Sequence, residues 1–229
     1  MLDLQGYGPS LLIGLLLTVE IAVASLFIAI LLGLLGALAK LSQSRIARLV
    51  AGIYTTLIRG VPELVLMLLI FFGGQHFVNS IAPLLGYDEY IDVNPFIAGV
   101  LTLGFIYGAY LAETFRGAIL AVPGGQLEAG FAYGMNRIQV FLRILLPQMI
   151  RHAIPGFGNN WLVLTKATAL VSIIGLDDMM RKAGLAAGAT REPFTFYLAA
   201  ALGYLLITTV SVLLLRWAEQ RYSVGVREG

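Results

Sequence analysis

Residues 10–39 form a run of about thirty residues whose only charged side chain is Glu20. As a helix this run is roughly 45 Å long, more than the ~30 Å hydrocarbon core of a bilayer. It is expected to span a membrane, tilted or protruding. Composition agrees, because 59% hydrophobic and only 12% charged residues in a chain of 229 is far too apolar for a soluble domain. A cleaved signal peptide would carry a basic stretch in front of a shorter apolar core, yet the first Lys or Arg is Lys40, after the run. The expectation is therefore an uncleaved first transmembrane helix.

Further spans are expected at residues 63 to about 78, 95 to about 121, 154 to about 176 and 194 to about 217, which makes an all-α, multi-pass protein with five transmembrane helices in one domain covering residues 1–229. Residues 46–58 read as a helix at the membrane surface. Arg59-Gly60-Val61-Pro62 breaks the chain, and Pro62 suits the first turn of a new helix. The loop at 79–94 holds Asp88, Glu89 and Asp92 without one Lys or Arg. Asp177 and Asp178 stand four residues before Arg181 and Lys182, and Glu113 three before Arg116, spacings at which opposite charges pair on a helix.

Five spans put the termini on opposite sides, and the basic residues decide which. With the N-terminus outside, the inner segments hold Lys40, Arg45, Arg48, Arg59, Arg116, Arg137, Arg143, Arg151, Arg216, Arg221 and Arg227, whereas the outer ones hold Arg181, Lys182 and Arg191. The positive-inside rule then makes the N-terminus periplasmic and the C-terminus cytoplasmic.

Residues 125–148, GQLEAGFAYGMNRIQVFLRILLPQ, interrupt the apolar segments and read as a protein-docking hairpin on the cytoplasmic side. Glu128, Ala129 and Gly130 fall on a short helix, with small side chains that would let a partner surface come close. Gly134 ends that helix, because glycine enters the left-handed region without a Cβ penalty. Asn136 with Gln139 forms a capping box, and Ile138, Phe141, Leu142 and Leu145 follow at i, i+3, i+4, i+7. Pro147 is expected to end this second helix.

Polar residues inside spans cost free energy in lipid and face a bundle interior or a wet path. Thr165, Thr168 and Ser172 share one face of the fourth span, near Asn159, Asn160 and the mid-span Lys166. Such a stripe lines a pathway or satisfies helix carbonyls. Glu20, about ten residues into the first span, either meets a cationic substrate or pairs with Lys166. Glu63 opens the second span, where the helix dipole and Arg59 favour a carboxylate. His76 and His152 stand apart from ligand-spaced acids and suggest no metal site. With no cysteine there is neither a disulfide nor a thiolate site. No lysine has the glycines and hydroxyl of a P-loop, no nucleophile motif occurs, and no basic cluster interleaved with aromatics suggests nucleic acid.

Glu128-Ala129, Gly134, Ile144, Leu146 and Pro147 are spaced as in the EAA loop, the coupling helices with which the membrane subunits of bacterial ABC importers dock into their ATPases. Gly130 stands where that motif usually has a second alanine. TLIRGVPELVLMLLIFF from Thr56, LGFIYGAYLAETFRGAILAVPGGQLEA from Leu103, IPGFGNNWLVLTKATALVSIIGLDD from Ile154 and RYSVGV from Arg221 resemble the polar amino acid permeases. The resemblance is strongest to their basic amino acid branch, where an acidic residue follows the R-G-x-P turn as Glu63 does here. It implies a type I ABC importer permease fold in the bacterial inner membrane. The implied partners are a second, M-type permease, two copies of an ATPase that uses ATP and Mg²⁺, a periplasmic binding protein and membrane lipid. The chain itself would be no enzyme and bind no cofactor. Alternatives are a permease for another polar amino acid such as glutamine, or a non-transporting scaffold that recruits an ATPase.

Overall fold

The computed structural model describes residues 4–87 and 89–223, and among these residues every regular element is helical. Helix α1 (Gly8–Leu41) ends where the Ser42 hydroxyl and backbone N–H both donate to Ala39 O. Ser44 then caps α2 (Arg45–Gly60) by accepting from Ala47 N, 3.3 Å. Helix α3 (Glu63–Ile81) starts after the extended Pro62 and closes in a 3-10 turn, Ala82–Leu85, that Gly86 ends at φ 85°. Asn94 caps α4 (Pro95–Leu120), its Oδ1 accepting from Phe96 N at 2.8 Å. Asp88, Gly225 and the last residues of the RYSVGV motif lie outside the described residues.

α1 and α4 are the spine of the bundle, and glycines set their distance. A Cβ on Gly33 would lie 2.7 Å from Leu111 Cβ, and one on Gly104 would lie 2.6 Å from Ile28 Cγ2. Small residues are what allow two helices to approach this closely where no hydrophobic effect drives them together. The register runs from Ile28 at Gly104 to Gly36 at Ala112, so the two helices are parallel. Around them α2, α3 and α7 (Leu146–Ala167) complete a core centred on Tyr107, Leu103 and Ile106. A second cluster joins the start of α1 to α8 (Met179–Thr190) and the start of α9 (Pro193–Ser223), through Leu11, Met179, Ala183 and Phe196.

Among the described residues four helices are long and apolar enough to cross a membrane: α1, α3 with its 3-10 turn, α4 and α9. The segment at 154–176 differs from its expected form. Pro147 does not end the hairpin's second helix; it sits in the first turn of α7, which follows without a break from α6 (Arg137–Val140) through a π segment, Phe141–Leu145. In that segment Leu146 N bonds Phe141 O, five residues back, and the widened turn makes room for a proline ring that would otherwise crowd the carbonyl four residues behind it. The α-helix stops at Ala167, and Thr168–Ile174 continue as a 3-10 helix to Gly175 at φ 99°. Arg151, Asn159, Asn160 and Lys166 lower its apolarity below that of the other spans. It nonetheless runs antiparallel along α4, with Asn160 Nδ2 donating to Thr114 Oγ1 at 2.9 Å near one end and Val171 against Gly99 near the other.

Candidate functional site

The hairpin is built as two short arms locked to each other. Helix α5 (Gly124–Ala132) ends in a Schellman motif: Gly134 has φ 80°, its N–H bonds Phe131 O at 2.9 Å, and Met135 N bonds Gly130 O at 3.1 Å. Asn136 and Gln139 then exchange two 2.9 Å hydrogen bonds, the capping box expected from their spacing. At the base, Gln148 Nε2 donates to Gln126 Oε1 at 2.6 Å.

One expectation for this hairpin is corrected. Gly130 is not open to a partner; it is buried, and a Cβ there would lie 2.6 Å from Ile144 Cδ1 and 3.1 Å from Val140 Cγ2. The small residue serves the contact between the two arms. Glu128 and Ala129 beside it are exposed. So are Phe131, Tyr133, Ile138, Phe141 and Leu142, with Tyr133 at 87%. These exposed apolar side chains form the crest of a hairpin whose turn and caps are hydrogen-bonded. Leu146 is half-buried and Pro147 exposed at its root.

The polar residues of the spans divide into two groups. Thr165 and Thr168 are buried, and their hydroxyls donate to Leu162 O and Thr165 O, while Ser172 donates to Ala169 O. These hydroxyls are satisfied by their own helix. Asn159 and Lys166, seven residues apart and hence on one face of α7, are exposed, and Lys166 borders an open groove of about 340 Å³ with Tyr197 and Tyr204 of α9. Lys166 and Glu20 do not pair. Among the described residues the ion pairs are Lys40 with Glu113, Arg116 with Glu113, and Arg181 with Asp177. Glu20 is exposed and lies five residues before Ser25, whose carbonyl faces Gly104, so it stands level with the first turns of α4.

Glu63 is half-buried and does not reach Arg59. The Tyr107 hydroxyl donates to both of its oxygens at 3.1 Å, and the Arg59 guanidinium sits over the Tyr110 ring, 5.6 Å from its centroid. Nothing local announces this arrangement, since the partners are 44 residues apart. The same holds for Lys40, which crosses from α1 to Glu113 of α4 and to Thr55 Oγ1 of α2 at 2.7 Å, joining three helices beside the expected Glu113 to Arg116 pair. At the other end, Arg181 Nε bonds Asp177 Oδ1 at 2.9 Å as the spacing predicts. Asp178, in contrast, does not pair with Lys182. It is buried, caps α8 through Arg181 N at 2.9 Å, and leaves Oδ2 without a hydrogen-bond partner, as is the buried Tyr204 hydroxyl. Burial pushes the Asp178 carboxyl up to about 6. Among the described residues no group of three His, Asp or Glu could hold a metal ion.

Comparison with known proteins places this geometry. Residues 25–224 match the family described as binding-protein-dependent transport system inner membrane component. The chain is 52% identical over 224 residues to the histidine/lysine/arginine/ornithine transport system permease HisQ of Escherichia coli K12, covering 98% of each chain. It is 42% identical over 233 residues to the octopine transport system permease OccQ of Rhizobium meliloti, covering 100% of this chain and 98% of that one. A solved amino acid ABC transporter with histidines superposes with a TM-score of 0.79 at 34% identity, covering 94% of this chain and 95% of the other.

Proposed function

Because this chain belongs to the inner membrane components of binding-protein-dependent transport systems, with the type I ABC permease fold and the place of a permease subunit in an amino acid importer, we propose that its substrates are the basic amino acids arginine, ornithine, lysine and histidine. The observation that carries the substrate reading is 52% identity, over 98% of both chains, with a permease whose system is named for those four compounds. A carboxylate at Glu63, held by Tyr107 at the start of α3, supports it, since a negative charge there compensates a cationic side chain in transit.

The mechanism follows alternating access. Glu128, Ala129 and the exposed crest of the hairpin dock into a partner ATPase, two copies of which bind ATP and Mg²⁺ and close; Gly130, Gly134, Ile144, Leu146 and Pro147 keep the hairpin rigid enough to transmit that closure to α4 and α7. The spans rock against those of a second permease, and a substrate released by a periplasmic binding protein enters. Glu63, Asn159 and Lys166 are the polar side chains offered along the path, with Glu20 near its outer end. Thr165, Thr168 and Ser172 hold the α7 backbone behind it. In this reading α7 with its 3-10 extension is the fourth of five crossings of the bacterial inner membrane, supported by its antiparallel run along α4, and the whole chain is one transmembrane domain with the N-terminus periplasmic.

The test is uptake of labelled arginine by the reconstituted complex with purified binding protein. Competition by lysine, ornithine and histidine is expected; competition by glutamine alone would move the chain to a different branch, and a complex that binds ATPase without accumulating any amino acid would make it a scaffold.

A further inference from the structure

Among the described residues, Asp178 Oδ2 and the Tyr204 hydroxyl are buried oxygens without a hydrogen-bond partner, and they lie where four elements meet. Asp178 opens α8 and is 0% exposed, with its Oδ1 taken by Arg181 N at 2.9 Å. The Tyr204 hydroxyl comes in from α9, within electrostatic reach of the Asp178 carboxylate and beside the hydroxyls of Thr18 on α1 and Thr168 in the 3-10 segment. Both threonines are buried as well. Tyr204 also lines the open groove next to Lys166, yet its hydroxyl is sealed inside the protein.

The protons of this cluster can be followed one by one. The Thr18 hydroxyl donates to Gly14 O at 2.9 Å and accepts from Met179 N at 3.2 Å, and the Thr168 hydroxyl donates to Thr165 O at 2.7 Å. Neither threonine has a proton left to give, so both can only accept. An ionised Asp178 Oδ2 also only accepts. The uncommitted proton is that of Tyr204, and in this geometry it reaches no acceptor. A donor without an acceptor and a carboxylate oxygen without a donor are defects that native interiors seldom leave standing.

We propose that one water molecule is sealed at this junction, accepting the Tyr204 proton and donating its own two to Asp178 Oδ2 and to a threonine oxygen. Its protons and lone pairs match what the cluster lacks, and about three bonds is the usual number for an interior water. A metal cation fits worse. It supplies no acceptor for the tyrosine proton, and the oxygens gathered here fall short of the roughly six to eight that hard cations collect. The water gives the apolar cluster of Leu11, Met179, Ala183 and Phe196 a polar fastening between α8 and α9.

A structure of the complete transporter in lipid, at a resolution that places ordered water, tests this directly. A density peak is expected about 2.8 Å from both Asp178 Oδ2 and the Tyr204 hydroxyl, and it should persist when choline replaces sodium. An empty junction, a direct bond between the two side chains, or a peak that vanishes with the sodium would each overturn the proposal. Stability gives a second reading. Tyr204→Phe removes the hydroxyl, whereas Asp178→Ser keeps a residue that caps a helix and withdraws Oδ2. Loss of the hydroxyl should lower the thermal midpoint of the otherwise unmodified complex, and by less than half as much in the Asp178→Ser background. Equal shifts in the two backgrounds, or none in the first, would show that nothing joins the two residues, and the site would fall.

Discussion

The Tyr107 hydroxyl donates to both oxygens of Glu63, each at 3.1 Å, and so ties the first residue of α3 to the middle of α4. Glu63→Gln keeps the shape and removes the charge. If the carboxylate meets cationic side chains in transit, uptake of arginine and lysine should fall more than that of histidine, which is largely neutral at pH 7.5. An arginine-to-histidine uptake ratio equal to the parent's would leave Glu63 as a helix-start residue held by Tyr107.

In the hairpin of α5 and α6 two glycines act for different reasons, and the substitutions separate them. Gly134→Val forces a β-branched residue into φ 80°, at about 1–3 kcal/mol of local strain, and uptake should drop while the protein still inserts. Gly130→Ala places a Cβ 2.6 Å from Ile144 Cδ1, an overpacking of about 1–3 kcal/mol that Ile144→Val relieves by deleting that carbon. ATP-driven uptake should therefore fall in the single variant and recover in the pair. No recovery would show that Gly130 matters for something other than the fit between the arms.

Asp178 gives a pH signature. Its carboxyl, ordinarily at 3.8, is pushed up to about 6 by burial, so its protonated form suits the fold. That contribution to stability is fully present below about pH 4 and lost as pH rises through about 6, at roughly 1.4 kcal/mol per unit of pKa difference, or about 2–3 kcal/mol in all. Asp178→Asn keeps the cap on α8 and cannot ionise. Its thermal midpoint in detergent should exceed the parent's at pH 7.5 and match it near pH 4; a difference independent of pH would contradict the burial argument.

The hairpin was almost fully legible in the sequence, because its caps and turn are local: Gly134 and the Asn136 and Gln139 pair sit at spacings only one backbone path satisfies. Four of the five expected spans, α1, α3, α4 and α9, were legible by length and apolarity, whereas the segment at 154–176 is less apolar than they are. What the sequence hid were relationships between distant residues. Nothing near Glu63 points to Tyr107, or near Lys40 to Glu113, and Arg59 four residues before Glu63 suggested a pair that the structure replaces with an aromatic face. The role of Gly130 is hidden for the same reason, since its neighbour Ile144 lies on the opposite arm. The π turn before Pro147 also has no local signal, as proline normally marks a helix end.

Orientation can be tested on the cysteine-free background. Single cysteines at Glu89, in the loop before α4, and at Tyr133, on the hairpin crest, are both exposed. In cells with a permeabilised outer membrane, a membrane-impermeant thiol reagent should label the first and not the second. Labelling at Tyr133 would overturn the inside position of the hairpin and its coupling role together.

ATP-driven import of basic amino acids is tested most directly by transport itself. The complex of this chain with its partner permease and ATPases, reconstituted in liposomes with purified binding protein outside and ATP within, should accumulate labelled arginine. Unlabelled lysine, ornithine and histidine should compete and glutamine should not. Accumulation of glutamine in preference to arginine, or none of either with the ATPase still bound, would contradict it.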